Sequence, residues 1–340
     1  MSTVAAETQA AAPKVAKMNV VQAVNLALDD AMAADSTVIV FGEDVGDKEE
    51  GGVCGVTKGL STKYGDARVR STPISEQAIV GAAIGAAIAG MRPVAEIMLM
   101  NFTAVAMDMI ANHAAKLRFM SGGQTQVPLV IRTMTGAGMG SGGQHSDYLE
   151  AWFAHVPGIK VVAPSNPADA YGLMLSCIED DDPCLFIEHL VSYWAPGTPP
   201  TRGVRVPIGK ANVVLAGSDV TLISYSGMMT PCAAVAAKLA AEGIKVELID
   251  LRTISPWDTA TVLASVAKTG RAVVVHEAVR NFGVGAEIAA TLHERLFGTL
   301  KAPVQRIGSA YCAVPFSKPL ETAFMPSQAQ IEAAVRKTLG

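Results

Sequence analysis

The feature that most constrains the fold is an apolar segment, residues 72–93, that contains a single acidic residue near its start. Pro73 and Ser75 predict a turn and a helix N-cap, which would put Glu76 in the first helical turn. No further charged side chain occurs before Arg92, and a helix that is apolar on every side is typical of a protein interior. The segment therefore predicts a buried helix with a buried carboxylate at its N-terminus.

Two interpretations of the buried carboxylate of Glu76 remain open, because burial is costly unless another group binds it. The carboxylate either accepts hydrogen bonds from the amides of its own helix terminus, where the helix dipole also favours it, or it has a functional role. Small residues at every fourth position, Gly81, Gly85 and Ala89, give the same helix a face of almost bare backbone. Another element can pack closely against that face.

Composition limits the classes of function. A chain of 340 residues is long enough for about two domains. Half of its residues are apolar and 17% are charged, which indicates surface buried against partners. The net charge is −4 without basic blocks, so we expect no nucleic-acid partner. The five cysteines have no metal-binding spacing, no apolar run has membrane length, and residues 1–17 lack a signal core. We expect a cytoplasmic protein, free of membrane, with a disordered N-terminal tail.

Predicted strands and helices alternate along residues 18–195, which indicates an α/β domain with a doubly wound parallel sheet. Residues 196–207, rich in Pro, Gly and Thr, predict a linker to a second, smaller α/β domain over residues 208–340. The expected strands are 37–41, 94–100, 127–133, 159–163, 184–188, 220–224, 245–250, 271–276 and 304–307. The expected helices include 19–34, 76–92, 102–119, 148–155, 168–179, 229–242, 259–269 and 284–297.

A glycine-rich loop, residues 135–143, precedes the histidine with the strongest case for function. Residues 138–143 fit G-x-G-x-x-G, but a dinucleotide site also needs an acid about 20 residues on, and the next strand ends in Pro164 and Ser165. We therefore interpret the loop as one that delivers the residues after it. His145 follows at the carboxyl side of a strand, where open α/β sheets bind ligands, so it is either a proton-transfer residue or a bystander beside a helix cap.

With Glu76, the glycine-rich loop and His145 in place, the sequence resembles a known family over roughly residues 18–339. This family comprises the β subunits of the E1 component of thiamine diphosphate-dependent 2-oxo acid (pyruvate or branched-chain) and acetoin dehydrogenase complexes. The resemblance rests on collinear motifs at residues 41–45, 51–60, 72–76, 144–146, 152–158, 250–253 and 255–257. It implies a transketolase-like, pyrimidine-binding domain followed by a smaller domain of the transketolase C-terminal type.

The resemblance assigns roles to the site residues. It implies that Glu76 hydrogen-bonds N1′ of the cofactor's aminopyrimidine ring and promotes the tautomer that removes the proton from the thiazolium C2. His145 would act near the substrate and the incoming lipoyl group as a proton donor. Three further side chains would line the aminopyrimidine pocket, namely Ile74, Met98 and Phe102.

Phosphate-binding motifs are absent from the sequence, which contains neither G-x-x-x-x-G-K-S/T nor the Gly-Asp-Gly with which thiamine enzymes hold Mg²⁺ and diphosphate. This chain would therefore bind only the pyrimidine half of thiamine diphosphate. The resemblance implies that an α subunit holds the diphosphate and Mg²⁺ in an α2β2 heterotetramer, and that a lipoyl-bearing E2 acyltransferase docks on the second domain. Many relatives also hold a structural K⁺ through backbone oxygens, here those of Val127, Leu129, Val130, Cys177, Asp180 and Asp182.

The small-molecule substrate stays open. Residues 175–180 and 250–257 resemble branched-chain enzymes, whereas residues 52–60 and 144–146 resemble acetoin or pyruvate enzymes. Relatives usually carry glutamine at the position of Asp147, and a carboxylate there could raise the histidine pKa or change the preferred substrate. A thiamine-dependent carboligase acting outside a dehydrogenase complex is the alternative function. A non-catalytic scaffold is a third, and the presence of both Glu76 and His145 argues against it.

Overall fold

Residues 17–340, the part of the chain that this computed structural model describes, form two β-sheets covered by helices. The expected N-terminal tail, residues 1–17, lies outside this part apart from Lys17. The strands are β1 (Val38–Glu43), β2 (Val69–Thr72), β3 (Arg92–Leu99), β4 (Val130–Thr135), β5 (Lys160–Val162), β6 (Cys184–His189), β7 (Asn212–Leu215), β8 (Val220–Ser224), β9 (Val246–Asp250), β10 (Thr253–Ser255), β11 (Ala272–Val279) and β12 (Gln305–Ser309).

The α-helices lie between these strands and at the carboxyl end of the chain. The first begins with a capping box, in which Asn19 and Gln22 satisfy each other's backbone amides. The helices are α1 (Val20–Ala34), α2 (Leu60–Tyr64), α3 (Glu76–Ile88), α4 (Leu117–Met120), α5 (Gly143–Ser146), α6 (Glu150–Ala154), α7 (Pro167–Glu179), α8 (Met229–Ala241), α9 (Thr259–Thr269), α10 (Val284–Leu296), α11 (Lys318–Phe324) and α12 (Gln328–Leu339).

Both sheets are predominantly parallel, which confirms the predicted α/β class. The larger has the strand order β10-β5-β6-β4-β3-β1-β2, and the smaller has the order β12-β11-β8-β9-β7. β7 pairs antiparallel with β9 at the edge of the smaller sheet. The short strand β10 crosses from the second half of the chain to the larger sheet, where Thr253 pairs antiparallel with Val162 of β5. The two halves therefore share one sheet edge.

The centre of the larger sheet is buried on both faces, as crossover helices require. Every residue of β4 and β6 is buried. Arg132 of β4 is one of these, and it forms ion pairs with Glu96 of β3 and Glu188 of β6. Tyr193 adds a hydrogen bond from its hydroxyl to Glu188, over 2.7 Å. This group satisfies three buried charges across three neighbouring strands, because the arginine lies between the two acids.

Helix α3 starts at Glu76 as predicted, but the expectation that it is buried all round is wrong. Its inward face packs in the core, whereas Gln77, Ala82 and Ile88 are exposed on the other side. A side chain at Gly81 would meet Met109 at 3.5 Å, while nothing of the described chain lies within 4 Å of such a position at Gly85. One side of the small-residue face is therefore open in this chain.

The long helix expected over residues 102–119 is also wrong. A 3-10 turn (Met100–Ala104), a π-helical segment (Met109–Ala114) and α4 replace it. The hydroxyl of Thr103 bonds the carbonyl of Met100 at 2.5 Å, which favours the tight turn. Apolar spacing alone does not distinguish these helix types. Six further elements were not predicted, namely β2, β7, β10, α5, α11 and α12. No helix within residues 17–340 is long and apolar enough to cross a membrane.

Gly158→Ala tests a close approach of two backbone segments. Gly158 has φ +98°, and a Cβ there would lie 1.9 Å from the carbonyl oxygen of Ala115. We expect G158A to lower the free energy of unfolding by roughly 3 kcal/mol or more, because backbone strain of about 1–3 kcal/mol adds to the displacement of packed backbone. Gly90→Ala is the matched control, since Gly90 has φ +93° with nothing within 4 Å. Urea unfolding followed by circular dichroism measures both, and equal losses would contradict the steric argument.

Candidate active site

Four adjacent parallel strands direct side chains to the carboxyl edge of the larger sheet. In spatial order they are β2, β1, β3 and β4. Glu76 follows β2 at the start of α3, Glu43 ends β1, Phe102 follows β3, and His145 follows β4 in α5. Ligands bind at this edge in open α/β sheets. The geometry thus brings the two predicted catalytic residues to the same edge.

Glu76 is a buried acid to which residues 17–340 offer no hydrogen-bond donor. Its side chain is 8% exposed, and no donor among residues 17–340 forms a hydrogen bond with its carboxylate. Ser75 occupies the N-cap position, but its side chain makes no capping hydrogen bond. The interpretation in which Glu76 is satisfied by the amides of its own helix is therefore not what the structure shows. Glu76 lies in the first turn of α3, where the helix dipole favours a negative charge.

A second acid, Glu43, lies near Glu76 and was missed by the sequence analysis. It is buried at the end of β1, and burial, followed by the negative charge of Glu76, raises the pKa of its carboxyl. The charge of Glu76 therefore acts on Glu43 across a short distance. The sequence signal that could have identified Glu43 was its place directly after a predicted buried strand, within the motif at residues 41–45.

Phe102 and His145 contact each other. Their ring centroids are 5.5 Å apart with an interplanar angle of 75°, an edge-to-face arrangement. Asn101, next to Phe102, donates from Nδ2 to the Gly143 carbonyl and to Oδ2 of Asp147, both at 2.9 Å. The residues after β3 therefore fix the short helix α5 that carries His145. His145 itself is exposed, so it can reach a ligand.

The carboxylate of Asp147 accepts a hydrogen bond from Asn101, and among the described residues it forms no ion pair with His145. Burial raises the pKa of the Asp147 carboxyl, and the hydrogen bond from Asn101 opposes that shift. The backbone amide of Asp147 also donates to Oδ1 of Asn101 at 3.2 Å. The expected direct influence of this carboxylate on His145 therefore has no contact to support it. Asp147 instead stabilises the turn between α5 and α6.

The residues expected to line a pyrimidine pocket differ in their surroundings. Met98 is half-buried in β3 and packs, like Phe102, against the apolar cluster on one face of the larger sheet. Ile74 lies two residues before Glu76 and is 82% exposed. It packs in none of the chain's apolar clusters. Ile74 therefore leaves an apolar side chain in solvent beside a buried acid.

The segments expected to bind K⁺, residues 127–130 and 177–182, lie against each other. The amide of Val127 donates to the Asp181 carbonyl at 3.2 Å. Arg92 donates to the carbonyl of Asp180 at 3.1 Å, so this oxygen already has a cationic partner. The K⁺ set stays a prediction. Within residues 17–340 no group of three or more His, Cys, Asp and Glu side chains is arranged to hold a metal ion.

Two family models match the chain. The transketolase pyrimidine binding domain covers residues 16–193, and the transketolase C-terminal domain covers residues 209–331. Among solved structures, a split gene transketolase, crystallised as an inactive β4 tetramer, superimposes with a TM-score of 0.77. The sequences are 21% identical, over 95% of this chain and 99% of that one, so this likeness concerns the fold. The fold and the matches define the class as a two-domain protein of the transketolase type.

Curated relatives are similar over nearly their whole length. The β subunit of acetoin:2,6-dichlorophenolindophenol oxidoreductase from Cupriavidus necator is 47% identical over 95% of this chain and 98% of its own. The β subunit of pyruvate dehydrogenase E1 from Staphylococcus epidermidis is 44% identical over 95% and 99%. A Bacillus subtilis acetoin oxidoreductase β subunit is 40% identical over 94% and 96%. The chain belongs to this family of acetoin oxidoreductase and pyruvate dehydrogenase E1 β subunits.

Glu150 supplies a test of pH dependence at the start of α6, just after His145. It is fully buried, its Oε1 accepts a hydrogen bond from Tyr225 at 2.6 Å, and burial raises the pKa of its carboxyl to about 8. The neutral acid is therefore favoured by folding. Its contribution to stability is complete below the unfolded pKa, near 4.5, and is lost as pH rises through about 8.

We expect Glu150→Gln to remove this pH dependence. Between pH 5 and 8 the stability of the variant relative to the unsubstituted protein should rise by about 1 kcal/mol per pH unit, the linkage limit being 1.36. Urea unfolding at several pH values measures the difference. Glu294→Gln, at an exposed position on α10, is the control and should follow the unsubstituted protein. Parallel stability curves for E150Q and the unsubstituted protein would contradict the raised pKa.

Proposed function

We propose that this chain is the β subunit of a heteromeric E1 that uses thiamine diphosphate. It would catalyse oxidative decarboxylation of a 2-oxo acid or cleavage of acetoin, with acyl transfer to a lipoyl group on E2. The observation that carries the proposal is Glu76, a residue that is 8% exposed and whose carboxylate receives no hydrogen bond from residues 17–340, at the carboxyl edge of the sheet where ligands bind. Full-length similarity to acetoin and pyruvate E1 β subunits supports the same reaction class.

The side chains at the site fit the pyrimidine half of the cofactor. An aminopyrimidine is flat, largely apolar on its faces and polar at its ring nitrogens. The half-buried Met98 and Phe102 supply apolar contact, and Glu76 supplies a buried acceptor for a protonated ring nitrogen. The exposed Ile74 would be covered once the ring and a partner subunit are bound. The cofactor, when bound, supplies a carbon nucleophile and an electron sink for carbon–carbon cleavage.

Glu76 would hold a proton at pyrimidine N1′. Its low exposure strengthens that hydrogen bond, because the local dielectric is low. Glu43 adds a second buried acid nearby, and burial, followed by the negative charge of Glu76, raises the pKa of its carboxyl.

His145 would transfer a proton at the substrate end of the site. Its ring is exposed, and the edge of Phe102 and the hydrogen bonds of Asn101 to α5 limit its orientation. An imidazole can act as a proton donor and as a proton acceptor in catalysis. Acyl transfer to a lipoyl dithiolane requires a proton donor, and we assign that role to His145.

The remaining half of the site would come from an α subunit. No motif for diphosphate or Mg²⁺ occurs in this sequence, and the relatives' names describe subunits of larger enzymes. We propose an α2β2 assembly in the cytoplasm in which the α subunit binds diphosphate and Mg²⁺. The exposed face of α3 around Gly85 offers close packing for such a partner. A structural K⁺ at residues 127–130 and 177–182, and docking of E2 on the second domain, belong to the same proposal.

Glu76→Gln tests the central role. Glutamine keeps the size of the side chain but cannot exchange a proton with N1′. We expect kcat to fall by roughly 10²- to 10⁴-fold, the range of general acid–base effects. Activity is measured with the α and β subunits co-expressed, 2,6-dichlorophenolindophenol as electron acceptor, and pyruvate, 3-methyl-2-oxobutanoate or acetoin as substrate. The three-way comparison also identifies the substrate.

The control for this variant is Glu294→Gln, which removes an exposed acid far from the site. It should retain full activity, and size-exclusion chromatography should find both variants in the same assembly. Hydrogen–deuterium exchange at the thiazolium C2, measured by NMR after acid quench, should slow in E76Q alone. Normal turnover by E76Q would refute the assignment.

A separate prediction concerns the division of the cofactor site. Thiamine diphosphate with Mg²⁺ should bind the co-expressed assembly with a Kd at least about 100-fold lower than it binds this chain alone, because the charged half of the ligand finds no partner here. Isothermal titration calorimetry measures both values. Tight binding by the isolated chain would show that the site is complete within it.

A further inference from the structure

The glycine loop, residues 135–143, is held by a carboxylate from the second half of the chain. Oε1 of Glu321, in α11, accepts hydrogen bonds from the amides of Gly138 at 2.6 Å and Gly140 at 3.0 Å. Lys318 donates to the Gly138 carbonyl at 2.8 Å. The backbone N–H and the backbone C=O of Gly138 are therefore both hydrogen-bonded. Glu321 is fully buried, and its other oxygen, Oε2, has no hydrogen bond.

A second carboxylate binds the beginning of the same loop. Oε1 of Glu277, in β11, accepts the amide of Ala137 at 2.6 Å. Its Oε2 lies 2.7 Å from Nε2 of His189, which ends β6 beside β4. Glu277 and His189 are both buried. The start of the loop is therefore tied to both halves of the chain.

The end of the loop is confined by packing. A Cβ at Gly142 would lie 2.4 Å from Phe316, and one at Gly143 would lie 3.2 Å from Ala313. Gly142 also has φ +74°, which favours glycine. Segment 313–316 can approach only because these side chains are missing. Directly beyond the loop, α5 presents His145.

These contacts restrict a loop whose backbone would otherwise have a large conformational freedom. Five of the nine loop residues are glycine, and glycine loses more backbone entropy on ordering than any other residue. Charge-assisted hydrogen bonds to a buried carboxylate are stronger than neutral ones. The amides of Gly138 and Gly140, which an anionic ligand would otherwise bind, are thereby occupied by the protein's own acid.

We propose that Glu321 is a positioning residue, which fixes the glycine loop and thereby sets the place of His145 at the site. The inference rests on the role proposed above for His145 in acyl transfer. Glu321 contacts the loop backbone and acts through His145 alone. The competing explanation is that Glu321 only joins the two halves of the chain, in which case its loss would affect every property of the assembly alike.

Amide hydrogen exchange tests the clamp without catalysis. In Glu321→Ala, within the co-expressed assembly, exchange over residues 136–143 should be about 10-fold faster or more, since two buried amides lose their acceptor. Peptides from β8 and β11 should keep their protection. Glu321→Gln retains an acceptor oxygen, so its exchange rate over residues 136–143 should lie between those of E321A and the unsubstituted protein. Glu294→Ala should exchange like the unsubstituted protein. Unchanged exchange over residues 136–143 in E321A and E321Q would overturn the proposal.

Kinetics test the link to His145. With lipoamide as acyl acceptor and the best of the three substrates, E321A should lower kcat by about 10-fold to 100-fold, and E321Q should restore part of it. In a His145→Ala background the same substitution should change kcat by less than about 2-fold, because the two residues act as one unit. Equal losses in both backgrounds would leave Glu321 a structural residue and refute the positioning role.

C2 hydrogen exchange separates this inference from the proposed function. E321A should exchange the thiazolium proton at the rate of the unsubstituted protein, because Glu76 lies on a different element. A fall in that rate equal to the fall in acyl transfer would overturn the proposal. If the unsubstituted assembly neither binds thiamine diphosphate nor exchanges this proton, the proposed function fails, while amide exchange still decides whether Glu321 clamps the loop.

Discussion

The need to satisfy buried carboxylates determines much of this structure. Glu96 and Glu188 obtain an ion pair with Arg132 at the centre of the larger sheet. Glu321 obtains two backbone amides of the glycine loop. Each solution offsets a desolvation penalty of several kcal/mol per ion. Glu76 is different, since no group within residues 17–340 hydrogen-bonds its carboxylate. Glu76 thus differs from the core acids, whose carboxylates have partners within the described chain.

The two halves of the chain contribute differently to the site. Parallel strands of the larger sheet provide Glu76, Phe102 and His145 at one edge, because their carboxyl ends necessarily meet there. The second half contributes Glu277 and Glu321, whose carboxylates bind the loop before His145. One half of the chain therefore forms the edge, and the other half holds the loop beside it.

Local patterns predicted much of the fold. The strand at 220–224 and the helix at 259–269 have the predicted bounds, since both are short, strongly patterned and ended by turn residues. The helix expected at 102–119 failed because helical periodicity does not reveal a change from 3-10 to π geometry. The start of α3 at Glu76 was predictable, because Pro73 and Ser75 mark a turn and an N-cap position before it. The contact of Glu321 with Gly138 was not, because 183 residues separate them and no local pattern records the pairing.

The pairing of β10, from the second half of the chain, with β5 of the first half has a consequence for biosynthesis. β5 is a three-residue strand whose outer edge is covered only by residues 253–255. During translation the outer edge of β5 therefore stays unpaired until more than ninety further residues have been added after this strand. Unpaired strand edges on nascent chains favour association with other chains. The order of synthesis thus leaves a window in which a chaperone or a partner subunit has most effect on yield.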